Sequence, residues 1–192
     1  MSSETHMGWT TIELDSVAPT PWRNGGGVTR ELVAWPSVAD WAWRLSVAEV
    51  TAGGPFSVFE GVERWFAVLQ GAGVGLDVAG DQHRLTAESP PLRFDGGVAT
   101  DCALLAGATQ DLNLMVRTGR ASGTMQRVQG QLARQLDAPL CIAVYALQTG
   151  TTVTFDDKPW PVPPRTLAWR EVPAPARVQV ASPSALWMEI RP

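Results

Sequence analysis

The chain has 192 residues, 45% of them hydrophobic and 18% charged, enough for one domain or two small fused ones with a buried core and no staples. Its net charge of −4 excludes a protein that works by neutralising phosphates, so no direct nucleic-acid partner is expected. No apolar run is long enough to cross a bilayer, and Met1 to Trp9 has no signal-peptide core; a cytoplasmic protein with reduced thiols and no membrane partner is the expectation.

In chain order, short apolar or alternating runs predict strands at Thr10-Leu14, Val28-Val33, Trp41-Val50, Arg64-Gln70, Val74-Val78, Gln82-Thr86, Cys102-Ala106 and Leu112-Val116. More follow at Leu140-Leu147, Thr151-Phe155, Thr166-Arg170, Arg177-Ala181 and Ala185-Ile190. Gly and Pro punctuate them at short intervals, as in a sandwich or barrel. The exception is Gly119-Leu136, where Ala121, Met125, Val128, Leu132 and Leu136 recur at roughly helical spacing and predict a short helix or connecting segment. The expected organisation is an N-terminal half at 1–118 with the ligand pocket, a connecting or helical segment at 119–139, and a reduced C-terminal half at 140–192. Pro159 to Pro164 is expected to be a rigid loop between strands.

The run Pro21-Trp22-Arg23-Asn24-Gly25-Gly26-Gly27-Val28-Thr29-Arg30-Glu31 stands out for its chemistry. Three successive glycines permit a tight turn and close approach of a ligand, and around them sit an indole, two guanidinium groups, an amide and a carboxylate. Such a run serves either as a turn with solvated neighbours or as a grip on a small polar molecule.

Strand alternation sorts the polar groups further. Arg44, Ser46 and Ala48 point one way while Trp43, Leu45 and Val47 point the other; Asp111, Asn113, Met115 and Arg117 likewise oppose Leu112, Leu114 and Val116. These polar faces either meet water or line a barrel interior, where they must pair with one another or with a ligand.

Metal and histidine chemistry find little material. Cys102 and Cys141 show no metal-like spacing, His6 lies near the N-terminus, and His83 follows Asp81-Gln82 at an expected hairpin turn. No metal and no cofactor are expected. Gly71-Ala72-Gly73-Val74-Gly75 has the wrong spacing for a dinucleotide fingerprint and fits a β-turn.

The sequence resembles the HutD/Ves family, proteins linked to bacterial histidine utilisation and built as bicupins. Besides the glycine-rich run, the resemblance is carried by Trp43-Arg44-Leu45-Ser46-Val47-Ala48, Gly54-Pro55-Phe56-Ser57-Val58-Phe59-Glu60-Gly61-Val62, Leu69-Gln70-Gly71-Ala72-Gly73 and Asp111-Leu112-Asn113-Leu114-Met115-Val116. They fall in the family's order over roughly residues 9 to 118. The resemblance implies an all-β, cupin-type barrel or sandwich with two halves, the second reduced. Set against the general cupin pattern, Ser57 and Phe59 stand at two metal-histidine positions, Arg64 at the glutamate and Thr109 at the last histidine, while Asn113 keeps its place. An arginine where a metal carboxylate would sit implies a pocket for an anion.

Residues 22, 24, 44, 46, 57, 64, 113 and 115 are therefore the candidate ligand-binding set: Trp22, Asn24, Arg44, Ser46, Ser57, Arg64, Asn113 and Met115. The guanidinium groups would hold a carboxylate, Asn113 and the two serines would orient it, and Trp22 would close the mouth. Structural ion pairs of either arginine with Glu31, Glu63 or Asp111 are the competing arrangement. The implied partner is a small acidic metabolite, urocanate or N-formylglutamate, bound without turnover to modulate histidine utilisation. The alternative is a metal-independent isomerase or hydrolase with Glu31 or Asp111 as base. The second half is a candidate homodimer surface.

Overall fold

The computed structural model describes Glu4–His6 and Gly8–Arg191, where all regular structure is β apart from one 3-10 turn at Leu14–Ser16. The strands are β1 (Glu4–His6), β2 (Trp9–Glu13), β3 (Thr20–Pro21), β4 (Gly27–Trp35), β5 (Trp43–Val50), β6 (Gly54–Pro55), β7 (Val62–Gln70), β8 (Val74–Val78) and β9 (Asp81–Leu85). They continue as β10 (Leu92–Asp95), β11 (Thr100–Leu104), β12 (Thr109–Arg117), β13 (Ser122–Leu136), β14 (Leu140–Ala146), β15 (Thr151–Phe155), β16 (Lys158–Val162), β17 (Thr166–Val172) and β18 (Ala176–Arg191).

The chain divides into two compact units, one of Ala18–Ser122 and one of Met1–Val17 with Gly123–Pro192. The first holds a six-stranded sheet, in the order β10-β7-β12-β5-β4-β3, and a four-stranded sheet, β6-β11-β8-β9. Phe66 and Val68 of β7 meet Val74, Leu76, Phe94 and Cys102 in one buried cluster, so apolar side chains of both sheets share a core. In the second unit the sheet runs β1-β2-β17-β14-β18-β15-β16, with β13 also paired to β18. Its core gathers Trp9, Ile142, Val144, Val153, Val178 and Trp187, among others.

Several expectations are corrected. Residues 122–136 form a strand, not a helix: Gly123 and Met125 are buried in one phase, whereas Val128 and Leu136 are buried in the opposite phase. A change of phase in a period-two pattern leaves gaps of three and four residues, which imitates helical spacing. The boundary of the first half also moves, because β2 pairs with β17 from Thr10↔Trp169 to Glu13↔Thr166 and thereby covers a strand edge of the second unit. The Pro159–Pro164 region is not a loop throughout, since Lys158–Val162 is paired to β15. It is the last strand of its sheet, where prolines cost no ladder bond on the open side. The tight turn before it has positive φ at Asp156 (48°) and Asp157 (60°), as a two-residue hairpin demands.

Pro183 has a comparable role. The sequence shows two runs, Arg177-Ala181 and Ala185-Ile190, but they form one strand that pairs with β15 at Val178–Ala181 and with β14 at Ala185–Ile190. The proline lies where the strand changes partner. His83 lies within β9 opposite Leu76, and Ala79 and Gly80 make the preceding turn with φ of 52° and 96°.

A positively charged cavity in the first unit

The site is written into the register of three neighbouring strands. On β5, β12 and β7, Arg44 lies opposite Met115, which lies opposite Arg64; one step along, Ser46, Asn113 and Phe66 line up in the same way. Paired residues project to the same side of a sheet, so these six side chains share one face. Ala48, Asp111 and Val68 make the next row. The first two rows and Ala48 line a cavity of about 510 Å³, with Trp22, Arg23, Asn24 and Thr29 on one side and Phe56, Ser57 and Phe59 on another. Leu45, Val47, Leu112 and Leu114 on the opposite face are fully buried, so the apolar face of these strands is packed and the polar face lines the cavity.

Arg64 is the most exacting resident. It is only 7% exposed, and its Nη2 donates to Asn113 Oδ1 at 2.6 Å. Its guanidinium lies 4.9 Å from the Phe56 ring centre and 5.1 Å from that of Phe94. Nε is buried without a hydrogen-bond partner, and no carboxylate among the described residues pairs with this arginine. Burial first, and the positive charge of Arg44 second, push its pKa down to about 10, so it stays cationic at neutral pH.

Arg44 is better provided for. Nε and Nη2 donate to the Met115 sulfur at 3.3 and 3.2 Å, Nη1 is 3.7 Å from Glu31 Oε2, and the Trp41 and Phe59 rings each lie 5.1 Å away. The ion pair expected as the competing arrangement thus forms for Arg44, loosely, and not for Arg64. Burial lowers the pKa of Arg44, which Glu31 opposes and Arg117 reinforces.

The glycine-rich run is a pinned turn beside this cavity. Trp22 N–H donates to Gly27 O, Gly25 N–H to Trp22 O, and Asn24 Oδ1 accepts from Gly26 N–H at 3.0 Å. Gly26 O receives Thr51 N–H and Ala52 N–H. Gly25 has φ +72°, and a Cβ on Gly27 would run into the Glu49 carbonyl oxygen. The Trp22 indole N–H donates to Thr29 Oγ1 at 2.7 Å, which fixes the ring against the cavity wall.

All eight expected ligand-binding residues line the cavity; Asn24 does so with its amide oxygen already used by the turn. The two expected bases, Glu31 and Asp111, are not among the lining residues. Asp111 is fully buried beyond Asn113, with Oδ2 accepting from Thr109 Oγ1 at 2.9 Å and Oδ1 unpartnered. Burial pushes its carboxyl up to about 7, against the Thr109 hydrogen bond. The same burial, with Asp111 adding repulsion, pushes the Cys102 thiol up to about 12 and leaves it inert. Thr109, at the last cupin histidine position, is occupied with Asp111 and does not line the cavity. Arg23, Phe56 and Phe66 were not singled out as ligand residues. Phe66 could have been, standing two residues from Arg64 on a strand, and Arg23 stands between two residues that were. Among the described residues, no group of three His, Cys, Asp or Glu side chains converges to hold a metal, and no helix is long and apolar enough to cross a membrane.

Two β units, one of them enclosing a polar cavity between sheets, define a protein of the cupin fold. An oxalate decarboxylase from Lactobacillus farciminis shares that fold at a TM-score of 0.64 over 94% of this chain and 85% of its own, with 8% identity. Within the class the chain belongs to the HutD family, whose family model matches residues 15–188. It is 37% identical over 112 residues to an uncharacterised 21.2 kDa protein in the hutC 3' region of Pseudomonas putida, covering 57% of this chain and 59% of that one. It is 35% identical over 107 residues to protein Ves of Citrobacter koseri, covering 55% and 56%. The match therefore spans less than two thirds of the length of these curated relatives. The structure of HutD from Pseudomonas fluorescens SBW25 superposes at a TM-score of 0.82 with 26% identity, over 95% of this chain and 98% of that one.

Proposed function

We propose that the chain binds a small carboxylate in this cavity, without turning it over, and so modulates histidine utilisation. One observation carries the proposal: the Arg64 guanidinium stands in the cavity wall, almost fully buried, with a neutral amide and two aromatic rings for company and no anion. A buried cation with a donor to spare is costly until a negative ligand arrives, and a carboxylate offers two acceptors in one plane. Asn113 supplies an amide donor beside it, and Ser46 a hydroxyl in the same row. Arg44, across Met115, adds positive potential to the same wall.

Binding is favoured over catalysis by the positions of the two carboxylates that could act as bases. Glu31 is drawn to Arg44 at 3.7 Å, and Asp111 lies outside the cavity lining. A base must come within hydrogen-bond reach of the proton that it removes. The biological setting is taken from the relatives: one is described by its place beside hutC, another as HutD. An acidic intermediate of histidine breakdown, urocanate or N-formylglutamate, is the ligand proposed, and the protein acts by sequestering it or through a protein partner.

Calorimetric titration with histidine, urocanate, N-formylglutamate and glutamate tests this. Saturable binding of one carboxylate, weakened about tenfold or more by Arg64→Ala and less by Arg44→Ala, with the ligand recovered unchanged, is the expected result. Turnover would make the protein an enzyme. No binding of any of the four would leave Arg64 a structural residue.

A further inference from the structure

We infer that the cavity takes a dianion, with Arg64 holding one carboxylate at the buried wall and Arg23 a second anionic group at the mouth. This inference rests on the carboxylate-binding proposal above. It follows from a count of charge around the cavity. The lining contains three arginines, Arg23, Arg44 and Arg64, and neither Asp nor Glu. Arg44 has a counter-charge in Glu31. Arg64 has none, and Arg23 makes no ion pair with any described residue. Arg64 is thus a buried cation without a counter-charge, and Arg23 a solvated one at the mouth that no carboxylate competes for, so a ligand with one carboxylate would engage the first and leave the second to water.

The neighbouring acids do not alter the count. Glu49 is taken by Arg30 at 2.9 Å, and Asp111, opposite Ala48, is not among the lining residues and has its carboxyl turned to Thr109. Charge repulsion on Arg64 comes from Arg44, across one methionine, so the wall already holds like charges at close quarters. Two negative charges on one small ligand relieve that repulsion more fully than one.

The position of Arg23 is also prepared. It is an exposed residue between Trp22 and Asn24, whose backbone and side chains are held by Gly27 O, Thr29 Oγ1 and Gly26 N–H. The backbone that carries Arg23 is fixed before any ligand arrives, so only its own side chain has to be ordered on binding. Asn24 spends its amide oxygen on the turn, which leaves Arg23 as the charged group that this segment offers to the mouth.

Two isosteric pairs test the inference by calorimetry at about pH 7.5: N-formylglutamate against N-formylglutamine, and glutarate against its monoamide. The amide keeps the shape and removes one charge. The dianion is expected to bind at least about fivefold more tightly in one or both pairs, and Arg23→Gln to cut that preference below about twofold by weakening the dianion more than the monoanion. Arg23→Glu should reverse the preference, with an unaltered melting curve showing that the exposed substitution does not touch the fold. Equal binding of dianion and monoanion, or a preference that survives Arg23→Gln, would overturn the dianion inference and leave the carboxylate site standing. Failure of all four ligands and of urocanate would overturn both.

Discussion

In the unit of Ala18–Ser122, the buried polar side chains among the described residues are Ser46, Arg64, Thr100, Thr109, Asp111 and Asn113; in the other unit they are Thr151, Thr166 and Ser182. The second set is all hydroxyls, and each finds a local partner: Thr151 and Ser182 face each other at 2.7 Å, and Thr166 donates to Pro164 O at 3.2 Å. The first set contains a guanidinium and a carboxyl, each with a buried atom that has no partner. Neutral, satisfied hydroxyls are what a packed core tolerates, whereas unsatisfied charged groups persist where something other than stability retains them. One β unit thus fills its interior, and the other holds one open.

That contrast fails if the filled unit is not tightly filled. Trp187 is 1% exposed within the cluster of Ile142, Val144, Val153 and Val178. Trp187→Ala is expected to cost about 3–5 kcal/mol in urea unfolding, the usual toll for emptying such a site. A loss below about 1 kcal/mol would show that this interior collapses readily and is no better packed than the cavity unit.

The next effect lies in the open unit and has the opposite sign. The folded-state pKa of Asp111, about 7, stands above its ordinary 3.8, so folding favours the protonated form. Its contribution is fully present below pH 3.8 and is lost as pH rises through about 7. The slope between those limits is at most roughly 1.4 kcal/mol per pH unit. Asp111→Asn keeps an acceptor for Thr109 and removes the charge. The variant should match the parent near pH 4 and exceed it by a few kcal/mol at pH 8, read from paired urea curves. A constant difference across that range would mean that Asp111 is ionised throughout and has a counter-charge elsewhere.

How much of this was legible in the sequence differs between the units for a physical reason. On β5 and β12 the alternation is regular, so Arg44, Ser46, Asn113 and Met115 could be assigned to one face before any register was known. That the face lines a cavity rather than meeting water was not legible, because Leu45 and Leu114 alternate identically in both cases. Register alone brings Met115 between the two arginines. On β13 the phase shift between Met125 and Val128 defeated the same reasoning, and on β16 two prolines hid a strand that only an edge position allows. Local pattern reports the period of an element; it does not report where that period slips or which strand lies at an edge. The partnering of Asp111 was equally hidden, since its oxygen is met by Thr109 two residues away on the same face, a contact that only the pleat of β12 creates.

The smallest expected effect separates stability from binding at a single residue. Arg64→Met removes the buried charge while keeping most of the side chain's length and its contacts with Phe56 and Phe94. The variant forfeits one hydrogen bond to Asn113, whose amide faces the cavity and can turn to water there. Against that loss stands relief of a desolvated guanidinium and of its repulsion by Arg44, the two causes that depress its pKa. Exchanging a buried charge for an apolar side chain of similar volume is often neutral or stabilising. The unliganded variant should therefore unfold between no change and about 2 kcal/mol later than the parent, while losing carboxylate binding. A loss of stability beyond about 2 kcal/mol would make Arg64 a structural residue held by Asn113 and two rings, and the open interior would then need another explanation than a ligand.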